Sequence, residues 1–301
     1  MMATTRLTTS RVMSRVRMTF ALLVAMLAAP AAIAQTTESG GAPVGPNTGR
    51  LAFTGNFDVA SAYVFRGIRQ DDEGFIGWPM ADVGVTLSEG DGAVRKVAVN
   101  FGTWNSLHSG PTGSDGPSEK LWYESDFYAG LTVGLGGGFS VGTIYTAYTS
   151  PNSAFGTVKE IAVKLAMNDA EALGSYALSP YALIAFELDG QADGGDHTGQ
   201  YLELGIAPAL PVVENALTLA FPVKLGLSLS DYYEGPSSDD TFGYLDTGVV
   251  ATVPLRFIPM RFGSWNVHGG VSLLTFGANP EMVNNGDGTK VVGSFGVGLA
   301  Y

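Results

Sequence analysis

From Arg50 to the C-terminus one pattern repeats: segments of roughly ten residues alternate apolar and polar, separated by clusters of Gly, Asp, Asn, Pro and Ser. The clearest is "YESDFYAGLTVGL", Tyr123 to Leu135. Tyr123, Ser125, Phe127, Ala129, Leu131, Val133 and Leu135 share one face of a strand. Glu124, Asp126, Tyr128, Gly130, Thr132 and Gly134 share the other, because side chains alternate with period two. A second segment puts Leu217, Leu219, Phe221, Val223, Leu225, Leu227 and Leu229 opposite Thr218, Ala220, Pro222, Lys224, Gly226, Ser228 and Ser230. An ordinary strand has about 5–6 residues in total. A strand crossing a bilayer needs about 9–11.

Twelve such segments are predicted, over 51–66, 79–88, 97–106, 121–135, 139–149, 158–167, 176–188, 199–208, 216–229, 241–253, 264–276 and 290–301. Their connections alternate between long polar ones, such as "LHSGPTGSDGPSEK", and tighter turns, such as Gly136 to Gly138. Long outer loops, short periplasmic turns and an even strand count are the pattern of an outer-membrane barrel. The turns near 89–96, 209–215 and 254–263 are less tight, which leaves the count open by two. The fold expected is all-β: a transmembrane antiparallel up-and-down β-barrel of about 12 strands. The competing architecture is a secreted β-sandwich, which alternates in the same way but faces its apolar side inward.

The last segment, "VVGSFGVGLAY", shows the alternation in extreme form. Val291, Gly293, Phe295, Val297, Leu299 and Tyr301 lie on one face; Val292, Ser294, Gly296, Gly298 and Ala300 lie on the other. In a barrel the first face meets lipid and the second the lumen. The terminal aromatic resembles the closing residue that the barrel-assembly machinery reads during insertion. Tyr63, Phe65 and Tyr123 are placed on the lipid face near the outer strand ends, and Phe139, Trp265 and Tyr301 near the inner ends. Amphipathic rings favour both membrane–water interfaces.

The N-terminus addresses the chain for export. Arg6, Arg11, Arg15 and Arg17 precede the apolar run Thr19 to Ala29, and Ala32-Ile33-Ala34 form a small-residue cleavage site. The organisation expected is a signal peptide over 1–34, a flexible leader over 35–50 and the barrel over 51–301, in the outer membrane of a Gram-negative bacterium. Cleavage before Gln35 leaves 12 basic against 28 acidic residues, a net charge of −16. That sign disfavours nucleic acid. With no cysteine, disulfides, thiolate metal sites and a cysteine nucleophile are excluded.

Parity sorts the charges of the strands. Asp58, Asp82, Glu124, Asp126, Glu160, Glu187, Glu203 and Asp246 point to the lumen, as do Lys164, Lys224 and His268, with Arg66 at the outer mouth. The acidic excess suits a cation-preferring pore. A plugged lumen, with the lysines knitting the wall, fits the same residues. Small inward side chains on the last strand favour space, whereas Tyr128 and Tyr181 favour filling. Twelve strands lie between the filled eight-stranded and open 16–18-stranded cases, so any path is narrow. Arg66 and Arg69 have Asp71, Asp72 and Glu73 as candidate partners for holding the first loop, although ion pairs in a solvated loop are weak.

"DVASAYVFRGIRQDDEG", Asp58 to Gly74, is similar to a stretch of the TorF-type porin family, carried here by Tyr63, Phe65, Arg66, Gly67, Ile68 and Gln70. "VNFGTWNS" and "YESDFYAGL" resemble its next blocks. The resemblance spans about the first third of the mature chain and implies an outer-membrane porin, with no catalytic residues and no established substrate.

Two other chemistries have candidate residues in the chain. Ser106, His108 and Ser109 fall near a strand end, where an outer-membrane lipase keeps its nucleophile and base, yet no acid partner or Gly-x-Ser-x-Gly elbow accompanies them. Asp189 to His197 has the acidity of a calcium loop without its twelve-position pattern. The expectation is therefore no enzyme, cofactor or metal. The partners expected are outer-membrane lipid, the assembly machinery and a small cationic or neutral solute. A closed barrel with a structural or surface-interaction role is the alternative.

Overall fold

The computed structural model describes residues 49–114, 121–236 and 238–301. The export segment and nearly all of the leader lie outside them. In chain order the strands are β1 (Leu51–Ala60), β2 (Tyr63–Phe65), β3 (Ile68–Asp71), β4 (Ile76–Glu89), β5 (Val94–His108), β6 (Trp122–Leu135), β7 (Phe139–Thr149), β8 (Val158–Met167), β9 (Tyr181–Asp189), β10 (Gln200–Ile206), β11 (Ala209–Val213), β12 (Leu217–Ala220), β13 (Val223–Ser230), β14 (Phe242–Pro254), β15 (Ser264–Phe276) and β16 (Thr289–Ala300). Except for β2 and β3, each pairs antiparallel with its neighbours in one sheet that closes on itself through β1 and β16, from Thr54↔Ala300 to Ala60↔Ser294. Among the described residues the wall has twelve staves.

Two staves are interrupted. β10 and β11 form one, broken at Ala207–Pro208; β12 and β13 form another, broken at Phe221–Pro222. Proline has no N–H for the ladder. The Phe221 N–H bridges the fault by donating to Pro208 O at 2.8 Å. The predicted unbroken segment over 216–229 is corrected accordingly, and the one over 199–208 continues past its predicted end to Val213. The stave predicted from 176 begins at Tyr181. Before it, Asp169 accepts from the backbone N–H groups of Leu178 and Ser179, at 3.0 Å and 2.9 Å, and shapes a longer inner turn.

The wall is inside out relative to a soluble sandwich. Phe101 is 57% exposed and Phe127 58%, whereas their chain neighbours Asn100 and Asp126 are 5% and 0%. A water-facing outer surface would reverse those values. Closure through β1 and β16 pairs the staves on both sides, apart from β11, which among the described residues pairs with β12 alone, and such pairing is what a strand structure in hydrocarbon requires. The protein is thus a transmembrane β-barrel of the outer-membrane type. Leu131→Arg, on the outward face near the middle of β6, is expected to destabilise it by about 2–4 kcal/mol, read as a lower urea midpoint in lipid vesicles.

β2 and β3 leave the wall. After Ala60 the chain bends at Ser61 and turns inward, so the predicted first strand over 51–66 ends six residues early. Tyr63 and Phe65, expected against lipid, are 0% and 5% exposed inside the barrel. They pack with Trp78, Trp104, Tyr123 and Tyr148. Tyr123 reverses face for another reason. The β5–β6 register slips between Ser106 and Leu107, and the resulting bulge turns Tyr123 inward while the Trp122 ring stays outside.

Candidate functional site

The lumen divides at the inward hairpin. On the outer-loop side, side chains fill the barrel: Tyr63, Tyr201 and Tyr232 are all completely enclosed. Towards the short turns, the inward positions are small or polar and only partly buried, among them Thr54, Ala98, Thr132, Gly142, Gly248 and Ser272. A barrel of this width is filled only where large residues or an inserted segment fill it.

Arg66 is not at a solvated mouth. It sits at the tip of the β2–β3 hairpin, 3% exposed, and makes a two-pronged ion pair with Glu160 at 2.6 Å and 2.8 Å. Arg66 and Gly67 both have positive φ, 46° and 86°. That is the backbone of a two-residue hairpin turn whose twist suits its strands. Arg69, three residues on, pairs with Asp72 and Asp287 near the surface. Asp71 serves a different partner, described below.

The other inward charges are placed as follows. Glu124 accepts from the Tyr63 hydroxyl at 2.8 Å. Asp126 lies two residues on along the same face and is fully enclosed. Asp82 accepts from Asn100 at 2.8 Å. Glu187 accepts from the backbone N–H groups of Ala192 and Gly199. Glu203 gathers the hydroxyls of Tyr181, Tyr201 and Tyr244 at 2.7–3.0 Å. Lys164 lies 4.1 Å from the centre of the Tyr181 ring. Lys224 and Asp246 are register partners on β13 and β14. His268 Nε2 meets Asp58 Oδ1 at 2.6 Å, and its Nδ1 meets Asn266 Oδ1 at 2.9 Å.

That last group explains the hollow face of β16. Asp58 and His268 lie on the two strands flanking β16, each in register with Gly296. Their side chains meet across the glycine, and a Cβ there would collide with both. The small residues near the end of β16 therefore make room for a bridge between neighbours. The space expected on this face is taken up at Gly296 by that bridge.

Ser106 and His108 have a third member that sequence reading missed. The Trp78 indole N–H donates to Ser106 Oγ at 3.0 Å, and Ser106 Oγ lies 2.6 Å from His108 Nε2. His108 Nδ1 is 2.6 Å from Thr112 Oγ1, which donates to Asp71, and 3.3 Å from Asp71 Oδ2 itself. Thr112 gives its proton to Asp71 and so accepts from Nδ1–H, which leaves Nε2 free to accept from Ser106. The direction is that of a Ser-His-Asp relay. However, Ser106 and His108 are both fully enclosed, and the Tyr123 ring stacks on the imidazole at 4.3 Å. No room is left for an acyl substrate, and the chain instead fastens Asp71, the last residue of β3. Wild-type protein is expected to stay unlabelled by a fluorophosphonate probe, checked by intact-mass spectrometry.

At the outer rim, His197 and Glu234 join the β9–β10 and β13–β14 loops through a 2.6 Å contact. That hydrogen bond raises the His197 pKa above the usual imidazole value and lowers that of Glu234. The loop tie is complete between the ordinary carboxylate and imidazole values. It is lost as pH rises through the raised His197 value, or falls through the lowered Glu234 value. An NMR titration of His197 is expected to give a midpoint above that of a free imidazole. The acidic stretch Asp189 to His197 lies in this rim, and no cluster suited to a metal ion occurs among the described residues.

No family model and no curated protein matches the sequence. Similar solved structures include an outer-membrane channel from Pseudomonas putida F1, at 13% identity and TM-score 0.46, covering 87% of this chain and 97% of that one. The NanC porin gives 12% and 0.41, covering 83% and 98%. Outer membrane phospholipase A from Escherichia coli gives 9% and 0.40, covering 82% and 92%. Channels and an enzyme stand side by side at this level of likeness, which does not choose between them.

Proposed function

We propose that the protein is an outer-membrane channel of the TorF-type porin kind, passing small cationic or neutral solutes, with its outer half closed in this conformation by the β2–β3 hairpin. The observation that carries the reading is the inner half of the lumen, lined by small and polar side chains that remain partly accessible. A barrel serving only as a scaffold has no need of a wetted interior. The inward acids outnumber the inward lysines, and the resulting field favours cations over anions. On this reading conduction requires the hairpin to move, because Tyr63, Arg66 and Tyr201 are enclosed around it.

The test is reconstitution of the mature chain in planar bilayers. Brief openings with cation-selective reversal potentials are expected under a salt gradient. Clear anion preference ends the reading. Folded insertion with no conductance, in the wild type and in hairpin variants alike, favours the closed structural barrel.

A further inference from the structure

The hairpin tip presents one side chain to a pocket assembled by other elements. Glu160 comes from β8 and Tyr201 from β10, while Tyr232 belongs to the β13–β14 connection. Glu160 engages both terminal nitrogens of Arg66, and the Tyr232 hydroxyl takes a second hydrogen bond from Nη1 at 3.2 Å. The Tyr201 ring lies 4.2 Å from the guanidinium carbon. Arg66 Nε has no hydrogen-bond partner. The grip is thus on the end of the guanidinium, the part that any small guanidinium compound also presents. A carboxylate fork with an aromatic face is the arrangement that recognises this planar cation in preference to an ammonium.

We propose that this pocket is a recognition site for guanidinium-bearing solutes, kept occupied by the chain's own Arg66. It rests on the channel reading only for the route by which such a solute arrives. The hairpin acts as an internal competitor: a free guanidinium group gains the pocket only when Arg66 leaves it. Apparent affinity in the wild type is reduced by the fraction of time the pocket is vacant.

Arg66→Ala tests this in detergent micelles, with the folded barrel verified by its heat-modifiable gel mobility. Titration with arginine amide, followed by calorimetry, is expected to give saturable binding in Arg66→Ala. It should be at least about tenfold weaker in the wild type and lost in Arg66→Ala/Glu160→Gln. Lysine amide should bind at least about tenfold more weakly than arginine amide, because an ammonium cannot satisfy the fork. A folded Arg66→Ala barrel with no saturable binding overturns the proposal, as does binding that survives Glu160→Gln. Should Arg66→Ala fail to fold, Arg66→Lys keeps the charge and most of the volume, and arginine amide should raise its melting temperature. No such rise overturns the proposal too. These readouts do not involve conduction, so a barrel silent in bilayers, in the wild type and in hairpin variants alike, removes the channel and leaves the pocket standing.

Discussion

Arg66→Ala is expected to turn a mostly closed barrel into one that conducts for much of the time. The pair it breaks is enclosed on both sides, with Arg66 and Glu160 each 3% exposed. Removing one partner of a buried ion pair costs about 3–5 kcal/mol, because the remaining charge stays desolvated. Here the cost falls on the inserted hairpin and not on the wall, since no stave hydrogen bond depends on Arg66. Divided by about 1.4 kcal/mol per factor of ten, it shifts the inserted-to-released equilibrium on the order of a hundredfold or more. The remaining anchors, Tyr233 to the Arg66 carbonyl at 2.9 Å and Asn284 to the Gly67 carbonyl at 2.8 Å, hold the tip less strongly. Single-channel recording compares the open fraction of variant and wild type. An unchanged open fraction means that the hairpin is not what closes the lumen.

Glu160→Gln is the companion change. It removes the charge and keeps the shape, so Arg66 loses its counter-ion but not its cavity. The same direction of effect is expected, with a smaller structural disturbance. The two substitutions should not add, because each removes the same interaction.

The parts of this molecule legible in the sequence are those governed by period two. Phe127, Leu131 and Val133 alternate with Asp126, Thr132 and Gly134, and a lipid-facing exterior around a wet lumen satisfies both sets at once. Features that break or exceed the period were not legible. Tyr63 and Phe65 continue the odd-numbered phase of Phe57 and Val59, and nothing local says that the chain has left the wall at Ser61. Tyr123 fails through a single bulge, whose position depends on the facing strand. The partners that define the lumen lie far apart along the chain: Arg66 and Glu160 by 94 residues, Asp58 and His268 by 210. Asp71 is a candidate partner for its neighbours Arg66 and Arg69 by sequence, yet it reaches His108 and Thr112 instead. Sequence proximity is a poor guide once a hairpin folds into a barrel.

The seam carries the other large effect. Gly296→Val is expected to lower the stability of the folded barrel by about 3 kcal/mol or more, the range for disrupting a buried charged network and overfilling a packed site together. Gly296 stands between Asp58 on β1 and His268 on β15, and added atoms there drive the two side chains apart. Both groups are nearly enclosed, so neither recovers water in place of its lost partner. The site also lies on the strand pair that closes the sheet, between β1 and β15. The effect should appear as earlier loss of the compact band on heating before electrophoresis, and as a lower urea midpoint in vesicles. A double-mutant cycle makes the cause specific. In an Asp58→Asn/His268→Gln background the bridge is already weakened, so the same valine should cost less. An equal cost in both backgrounds would mean that the bulk of the valine, and not the bridge it displaces, accounts for the loss.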